Sequence, residues 1–416
     1  MSKYGSSGDS APAELLPISI IKEHNLYFDE FLKEHKGYSF INVNGKTVSN
    51  YPIIPGILNL PVYLTAHLFG IDMYKNRYTL SFITASLIAA LSVVFMYLCL
   101  LKVCKKNTAI LFSIAYAFGT SVWTENCHTM SQHGPSLLFL TIAMFMLLSE
   151  KSNLPRYAGF FLGMSVFNRP TNILIAAPLA LYVLIHQRKQ FKYFILFAMI
   201  PALILFWYSY THLGSITAMG QGQGGLSFFK YPFVKGLFGL LLSPNRGLLV
   251  FTPIFIFGFG YLFYSLFSKK TKPILKYLAT ASILILCVYA RWNMWWGGHS
   301  FGYRIITEIV PMMIIFTALS YDMFISKRIP LKVLFFILLV LSIYFHFLGA
   351  HYPSNFNYVP NNIDSNTDRL WDIQDGALSR SSMNLLKDLK KSISDVKYQN
   401  PSVVLKIMNA QNRTST

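Results

Sequence analysis

Apolar runs long enough to cross a bilayer recur along this chain, and the connectors between them alternate in kind. One set is short and rich in Lys and Arg; the other is longer, aromatic and rich in Gly. In hydrocarbon every backbone N–H and C=O must find its partner inside the structure, so long apolar runs of this kind predict membrane-crossing helices. The composition agrees: 53% of residues are hydrophobic and 13% charged, far from a soluble domain of 416 residues. A net charge of +19 would suggest nucleic acid if it formed one basic face. The Lys and Arg residues instead cluster in connectors, as expected of cytoplasmic loops, which argues against a nucleic-acid partner. Cys99, Cys104, Cys127 and Cys287 contain no CxxC spacing, and three of the four lie in or beside apolar runs. Buried, unpaired thiols are therefore expected, rather than a disulfide framework or a zinc site.

Residues 78–101, 107–123, 134–149, 193–212, 247–267, 274–291, 305–320 and 331–349 read as eight full spans, since about 17 to 25 apolar residues cover the hydrocarbon as helix. Alternating these spans puts the connectors around Lys102, Lys151, Arg188, Lys269 and Lys327 on one side, the cytoplasmic one. The stretch 157–186 is too long for one helix and is interrupted at Asn168-Arg169-Pro170, so it predicts a broken helix pair with Arg169 inside the membrane region as a clamp. Residues 53–71 are apolar but contain Pro55 and Pro61, and read as an interfacial helix. The expected fold is an all-α polytopic bundle in three parts: an extracytoplasmic first segment 1–52, a transmembrane body 53–349 and an extracytoplasmic tail 350–416. The polar opening Ser2 to Ser10 leaves residues 1–52 without a segment to carry them outward, which predicts a missing first helix. A cytoplasmic start with 53–71 as a true span is the competing topology.

The outward segments hold the polar residues that look like a site. Asp9 lies just ahead of the stretch beginning at Pro12 and is a good N-cap candidate for a helix there. Glu14, about a turn later, is a second carboxylate. Asp29 and Glu30 read as a solvated loop edge. Arg246 and Arg304 head spans, where a guanidinium can hold phosphate bidentately or anchor at the interface. His133 stands at a helix entrance, as a substrate contact or a structural hydrogen bonder. His299 and Tyr303 precede Arg304, and Trp296 suits the interfacial belt or stacking on a bound ring. Gly220-Gln221-Gly222-Gln223-Gly224-Gly225 follows no strand and precedes no Gly-Lys-Ser/Thr, so a mobile loop over the site is expected rather than a phosphate loop. Asn412-Arg413-Thr414 matches a glycan-acceptor triplet.

Several stretches, in order, resemble the C-type membrane glycosyltransferases, the group of protein O-mannosyltransferases and aminoarabinose transferases. They are Gly8-Asp9-Ser10-Ala11-Pro12-Ala13-Glu14, Tyr51-Pro52-Ile53-Ile54-Pro55-Gly56, Gln132-His133-Gly134, Asn168-Arg169-Pro170-Thr171, Ser243-Pro244-Asn245-Arg246-Gly247-Leu248 and Trp295-Trp296-Gly297-Gly298-His299-Ser300-Phe301-Gly302-Tyr303-Arg304. The resemblance covers about residues 5 to 380. It implies a multi-pass enzyme of the cell (inner) membrane that moves one sugar, with inversion, from a polyprenyl-phosphate donor to an extracytoplasmic glycan, lipid or protein acceptor. Asp9 would be catalytic, and Glu14, His133, Arg246, Trp296, His299, Tyr303 and Arg304 would contact substrate. Where the group often carries two adjacent acidic residues, this chain has Asp9-Ser10; a divalent metal is optional in the group, and no convincing ligand set for one, nor any other cofactor, is read here. A transporter or flippase of lipid-linked saccharides, and a truncated inactive homologue, are the alternative readings.

Overall fold

The computed structural model describes residues 8–31, 38–149, 153–215 and 225–399. Gly220–Gly224 and Asn412–Thr414 lie outside the described residues. The chain is mostly helical. After a 3-10 turn at Gly8–Ser10 come α1 (Ala11–Glu23), the two-stranded ribbon β1 (Phe40–Val43) and β2 (Lys46–Ser49), α2 (Ile54–Leu68), α3 (Arg77–Leu101), α4 (Lys106–Phe118) and α5 (His133–Leu148). Then follow α6 (Ala158–Asn168), α7 (Ile173–His186), α8 (Arg188–His212), α9 (Phe233–Leu242), the single turn α10 (Leu248–Phe251), α11 (Phe255–Phe267) and α12 (Pro273–Ala290). The last are α13 (Val310–Ser320), entered through the 3-10 turn Arg304–Ile309, α14 (Ile329–His351) and α15 (Ala377–Gln399).

Five helical stretches are long and apolar enough to cross a membrane: Arg77–Leu101, Arg188–His212, Pro273–Ala290, Arg304–Ile325 and Ile329–His351. Three other expected spans are shorter as helix. Run 107–123 is α4 followed by a π-helical turn at Val122–Asn126, run 134–149 is the sixteen-residue α5, and run 247–267 is divided between α10 and α11 around Pro253. Proline lacks the N–H that a continuous helix needs there. α2 has fifteen residues and Pro61 inside it; at 1.5 Å per residue it is about 22 Å long, short of the roughly 30 Å of hydrocarbon.

The bundle has two distinct ends. α3, with 25 residues, separates them by about 37 Å. At one end the basic connectors meet: Lys272 Nζ donates to Lys102 O (3.2 Å), and Asp322 accepts from Thr108 Oγ1 (2.6 Å). At the other end α1, α2, the ribbon, the turn 297–302 and the segment 353–376 pack together. Between them α13 forms the axis, with every residue from Val310 to Ala318 buried. α8 and α14 line the outside and expose apolar side chains such as Leu196, Leu203, Ile337 and Val340. Two glycines let helix backbones touch: a Cβ at Gly159 of α6 would run into the Phe194 carbonyl of α8, and one at Gly236 of α9 into the Ala290 carbonyl of α12. The four cysteines are free thiols.

The break in 157–186 falls at Asn168-Arg169-Pro170. Asn168 Nδ2 donates to Gln132 O (2.5 Å) and Ser136 Oγ (2.8 Å), and Asn172 Nδ2 to Ser165 Oγ (2.7 Å), which ties the interrupted helix to α5. Arg169 is buried and donates to Tyr289 Oη (2.6 Å) and Ile305 O (3.0 Å). The break places Arg169 where α12 and the turn before α13 supply the polar groups that keep it paired inside an apolar body.

Candidate active site

The site forms where the 3-10 turn before α1 meets the 3-10 turn before α13. Asp9 Oδ1 accepts hydrogen bonds from Tyr38 Oη (2.7 Å) and Tyr51 Oη (2.8 Å). Its Oδ2 pairs with Arg304 Nη2 at 2.8 Å, with about a fifth of each side chain still exposed. Burial works to raise the Asp9 carboxyl, but the Arg304 charge and the three hydrogen bonds outweigh it and hold the group below its ordinary value, so Asp9 is anionic at neutral pH. Helix α1 is entered through Ser10, whose hydroxyl bonds Glu14 Oε1 at 3.1 Å, so the helix start leaves the Asp9 carboxylate to Arg304 and the tyrosines. Glu14 is buried against the body of α1.

Tyr38 and Tyr51 were not singled out in the sequence. They stand together at the open end of the β-ribbon, just before β1 and just after β2, opposite its turn, Asn44-Gly45, which has positive φ at both residues (51° and 81°). Asn-Gly is the dipeptide that a two-residue type I′ hairpin calls for. One position in the ribbon, Thr47, is fixed from outside by both backbone groups: its N–H donates to Asp29 Oδ1 (2.8 Å), and its carbonyl accepts from Phe28 N (3.0 Å). Glu30 accepts the Ser19 hydroxyl at 2.6 Å. The acidic pair Asp29 and Glu30 thus braces the ribbon against α1.

Arg304 has one strong tie to Asp9, a longer one from Nη2 to Gly297 O (3.3 Å), and a buried Nε with no hydrogen-bond partner among the described residues. A buried guanidinium N–H without an acceptor is costly, and an anionic oxygen entering beside it would satisfy it. A second carboxylate missed in the sequence, Glu125, lies on the π-helical turn after α4 and accepts the Phe301 N–H at 2.8 Å. Burial pushes its carboxyl up, against the opposing charges of Arg304 and Arg246. Among the described residues no three His, Cys, Asp or Glu side chains gather as a cation site. With Asp9 already engaged by three donors, the carboxylates present do not form a metal cradle.

The other expected contacts are elsewhere in the network. Arg246 is 1% exposed, and its guanidinium donates to Trp296 O (3.0 Å), Asn245 O (2.7 Å), Gly298 O (3.1 Å) and Asn357 Oδ1 (2.6 Å). It braces the turn 296–298 against the tail. Trp296 is buried and donates from Nε1 to Asp364 Oδ1 (2.8 Å); His299 meets Asn362 Oδ1 (2.9 Å) and the Tyr358 ring. Tyr303 is buried with its hydroxyl among Thr252 Oγ1 (2.6 Å), Ser121 N (3.2 Å) and His346 Nε2 (3.5 Å). His133 is buried beneath the site, its Nδ1 2.8 Å from Glu308 Oε1 and its Nε2 2.9 Å from Arg169 Nη1. Arg has only donors, so Nε2 accepts and Nδ1 carries the proton toward Glu308. Of the residues expected to act together, the fold brings Asp9 and Arg304 into contact. Arg246, Trp296 and His299 form the wall behind them, and His133 and Tyr303 are enclosed in the body.

The backbone of this wall needs glycine. Gly297, Gly298 and Gly302 have φ of 72°, 66° and 66°, the left-handed region in which side-chain-bearing residues are strained. The turn presents its carbonyls inward to Arg246 and Arg304 as a result.

No family model matches the chain, and no curated protein matches it. Among solved structures, the fold is similar to the Archaeoglobus fulgidus oligosaccharyltransferase, crystallised with an acceptor peptide containing the NVT sequon tethered by a disulfide. The TM-score is 0.54 at 12% identity, over 87% of this chain and 54% of that one. The likeness is one of fold. This chain spans about half the length of the solved structure.

Proposed function

We propose that this chain is a membrane glycosyltransferase that moves a sugar from a polyprenyl-phosphate donor to an acceptor outside the cytoplasm, by single displacement with inversion. The observation that carries this reading is the partly open Asp9–Arg304 pair at the non-basic end of a bundle with a glycosyltransferase fold. In the step proposed, the acceptor hydroxyl oxygen bonds to the anomeric carbon as the carbon–oxygen bond to phosphate breaks. The electron pair leaves on the phosphate oxygen, and the hydroxyl proton passes to Asp9. A carboxylate held by three donors is a weak base, suited to taking a proton late, when the attacking oxygen has become acidic. Arg304 presents its unpartnered Nε to the leaving phosphate, and Arg246 holds the turn 296–298 that faces it. The apolar flanks of the bundle would receive the lipid carrier.

The test is mass spectrometry of surface glycans and lipid-linked sugars in a deletion strain complemented with wild type, Asp9→Asn or Arg304→Gln. Loss of one sugar with accumulation of its lipid donor is expected for both variants at unchanged protein level. Removing a general base costs about 10²- to 10⁴-fold in rate. Wild-type glycans from Asp9→Asn would remove Asp9 from the chemistry.

A further inference from the structure

Helix α15 carries an apolar stripe that the rest of the described chain leaves uncovered. Its first turns are docked: Ala377 N donates to Asn245 Oδ1 (2.7 Å), Arg380 is held by Asp375 and Asn355, and Asn384 Nδ2 reaches Pro353 O (3.1 Å) just past α14. Beyond them Met383, Leu386, Leu389 and Ile393, spaced three, three and four residues apart, share one face and are 48%, 55%, 49% and 61% exposed. Exposed Lys387, Lys390 and Lys391 lie within and beside that stripe, with Asp388 among them. Four large apolar side chains in line are not a solvated face, and three lysines are not a core. The combination suits a helix lying in a bilayer interface, its apolar face in the acyl boundary and its lysine stems reaching the headgroup phosphates.

Two observations favour lipid over a second copy of the chain. α15 is docked at the C-terminal end of α14, whose outward face of Val333, Ile337, Val340 and Tyr344 is itself apolar and exposed, so the stripe continues a lipid-facing surface. A two-fold pairing through the stripe would also bring the lysine flank against its own copy, whereas anionic headgroups complement it. We propose that α15 is an interfacial anchor laid on the anionic leaflet at the site end of the bundle. The segment it secures includes Asn357 and Asp364, which hold Arg246 and Trp296, so the anchor braces the wall behind Asp9. This does not depend on the transferase reading.

The test uses the full chain, freed of its native cysteines, in nanodiscs with or without phosphatidylglycerol. Single cysteines replacing Leu389 or Asp388 carry an environment-sensitive fluorophore, with Leu386→Cys as a second reporter on the stripe. The expected result is a blue shift and several-fold stronger quenching by brominated lipid at 389 and 386 than at 388. Lys387→Glu with Lys390→Glu and Lys391→Glu should reduce that quenching in phosphatidylglycerol discs. Equal, water-like quenching at all three sites overturns the proposal, and so does copy-to-copy crosslinking through 389 without lipid quenching.

Discussion

Three donors converge on the Asp9 carboxylate, and removing them one at a time separates its charge from its chemistry. Tyr51→Phe leaves the Arg304 pair but takes away one hydrogen bond, which moves the Asp9 carboxyl back up toward its ordinary value. The acid limb of the pH profile of transfer should shift to higher pH in that variant; an unmoved limb means that another group titrates. The stability linkage has a definite sign. The folded value lies below the ordinary 3.8, so the contribution of the pair is present above that pH and is lost as pH falls through the folded value. The difference in melting temperature between wild type and Asp9→Asn should therefore be constant from neutral pH down to the ordinary carboxyl range and shrink only in stronger acid. Arg246 makes a contrasting case. Arg246→Lys cannot reach four oxygens arranged around a planar fork, and buried acceptors left unmatched cost about 1–3 kcal/mol each. The variant should unfold at lower temperature in detergent and lose transfer through the displaced turn, whereas Arg304→Gln, which breaks the same pair as Asp9→Asn, should lose transfer with a melting shift of similar size to that variant's.

At the scale of elements, five of the membrane-length runs and the interruption at Asn168-Arg169-Pro170 were legible in the sequence. Each depends on hydropathy, proline chemistry or charge placement within a short window. The Asn44-Gly45 hairpin departs from the all-α expectation, although the dipeptide is a hairpin signal. What no local pattern carries is the convergence of Tyr38 and Tyr51 on an aspartate 29 and 42 residues earlier. Nor does it carry the use of Arg246 as a brace, which depends on a tail residue 111 positions away. Helix lengths were overestimated around Pro253 because hydropathy averages across a break. Gly159 and Gly236 show a related limit: a glycine inside an apolar run does not announce that another backbone lies against it. Gly159→Leu and Gly236→Leu should each destabilise the bundle by about 1–3 kcal/mol or more. Gly260→Leu, with nothing within 4 Å of the added carbon, should be close to neutral. Thermal unfolding of the three in one detergent decides this.

For the whole molecule, the site end is closed by chain that arrives last. Residues 357 to 372 supply the acceptors for Arg246, Trp296 and Asn245, so a chain ended at residue 352 should keep its membrane helices yet be cleaved readily at 296–302 and fail in transfer. Limited proteolysis of membranes reads this directly. Deeper in the body, His133, Arg169 and Glu308 come from the start of α5, the break between α6 and α7 and the entry to α13, with 175 residues between the first and the last. Helices are delivered to a membrane in chain order, so the arginine and the histidine enter long before the carboxylate that completes them. Until α13 arrives, the early helices hold a cation in an apolar setting without its counter-ion. Biogenesis of this protein therefore contains a waiting stage that ends when one glutamate is inserted, and chains truncated ahead of it would be preferred clients of membrane quality control.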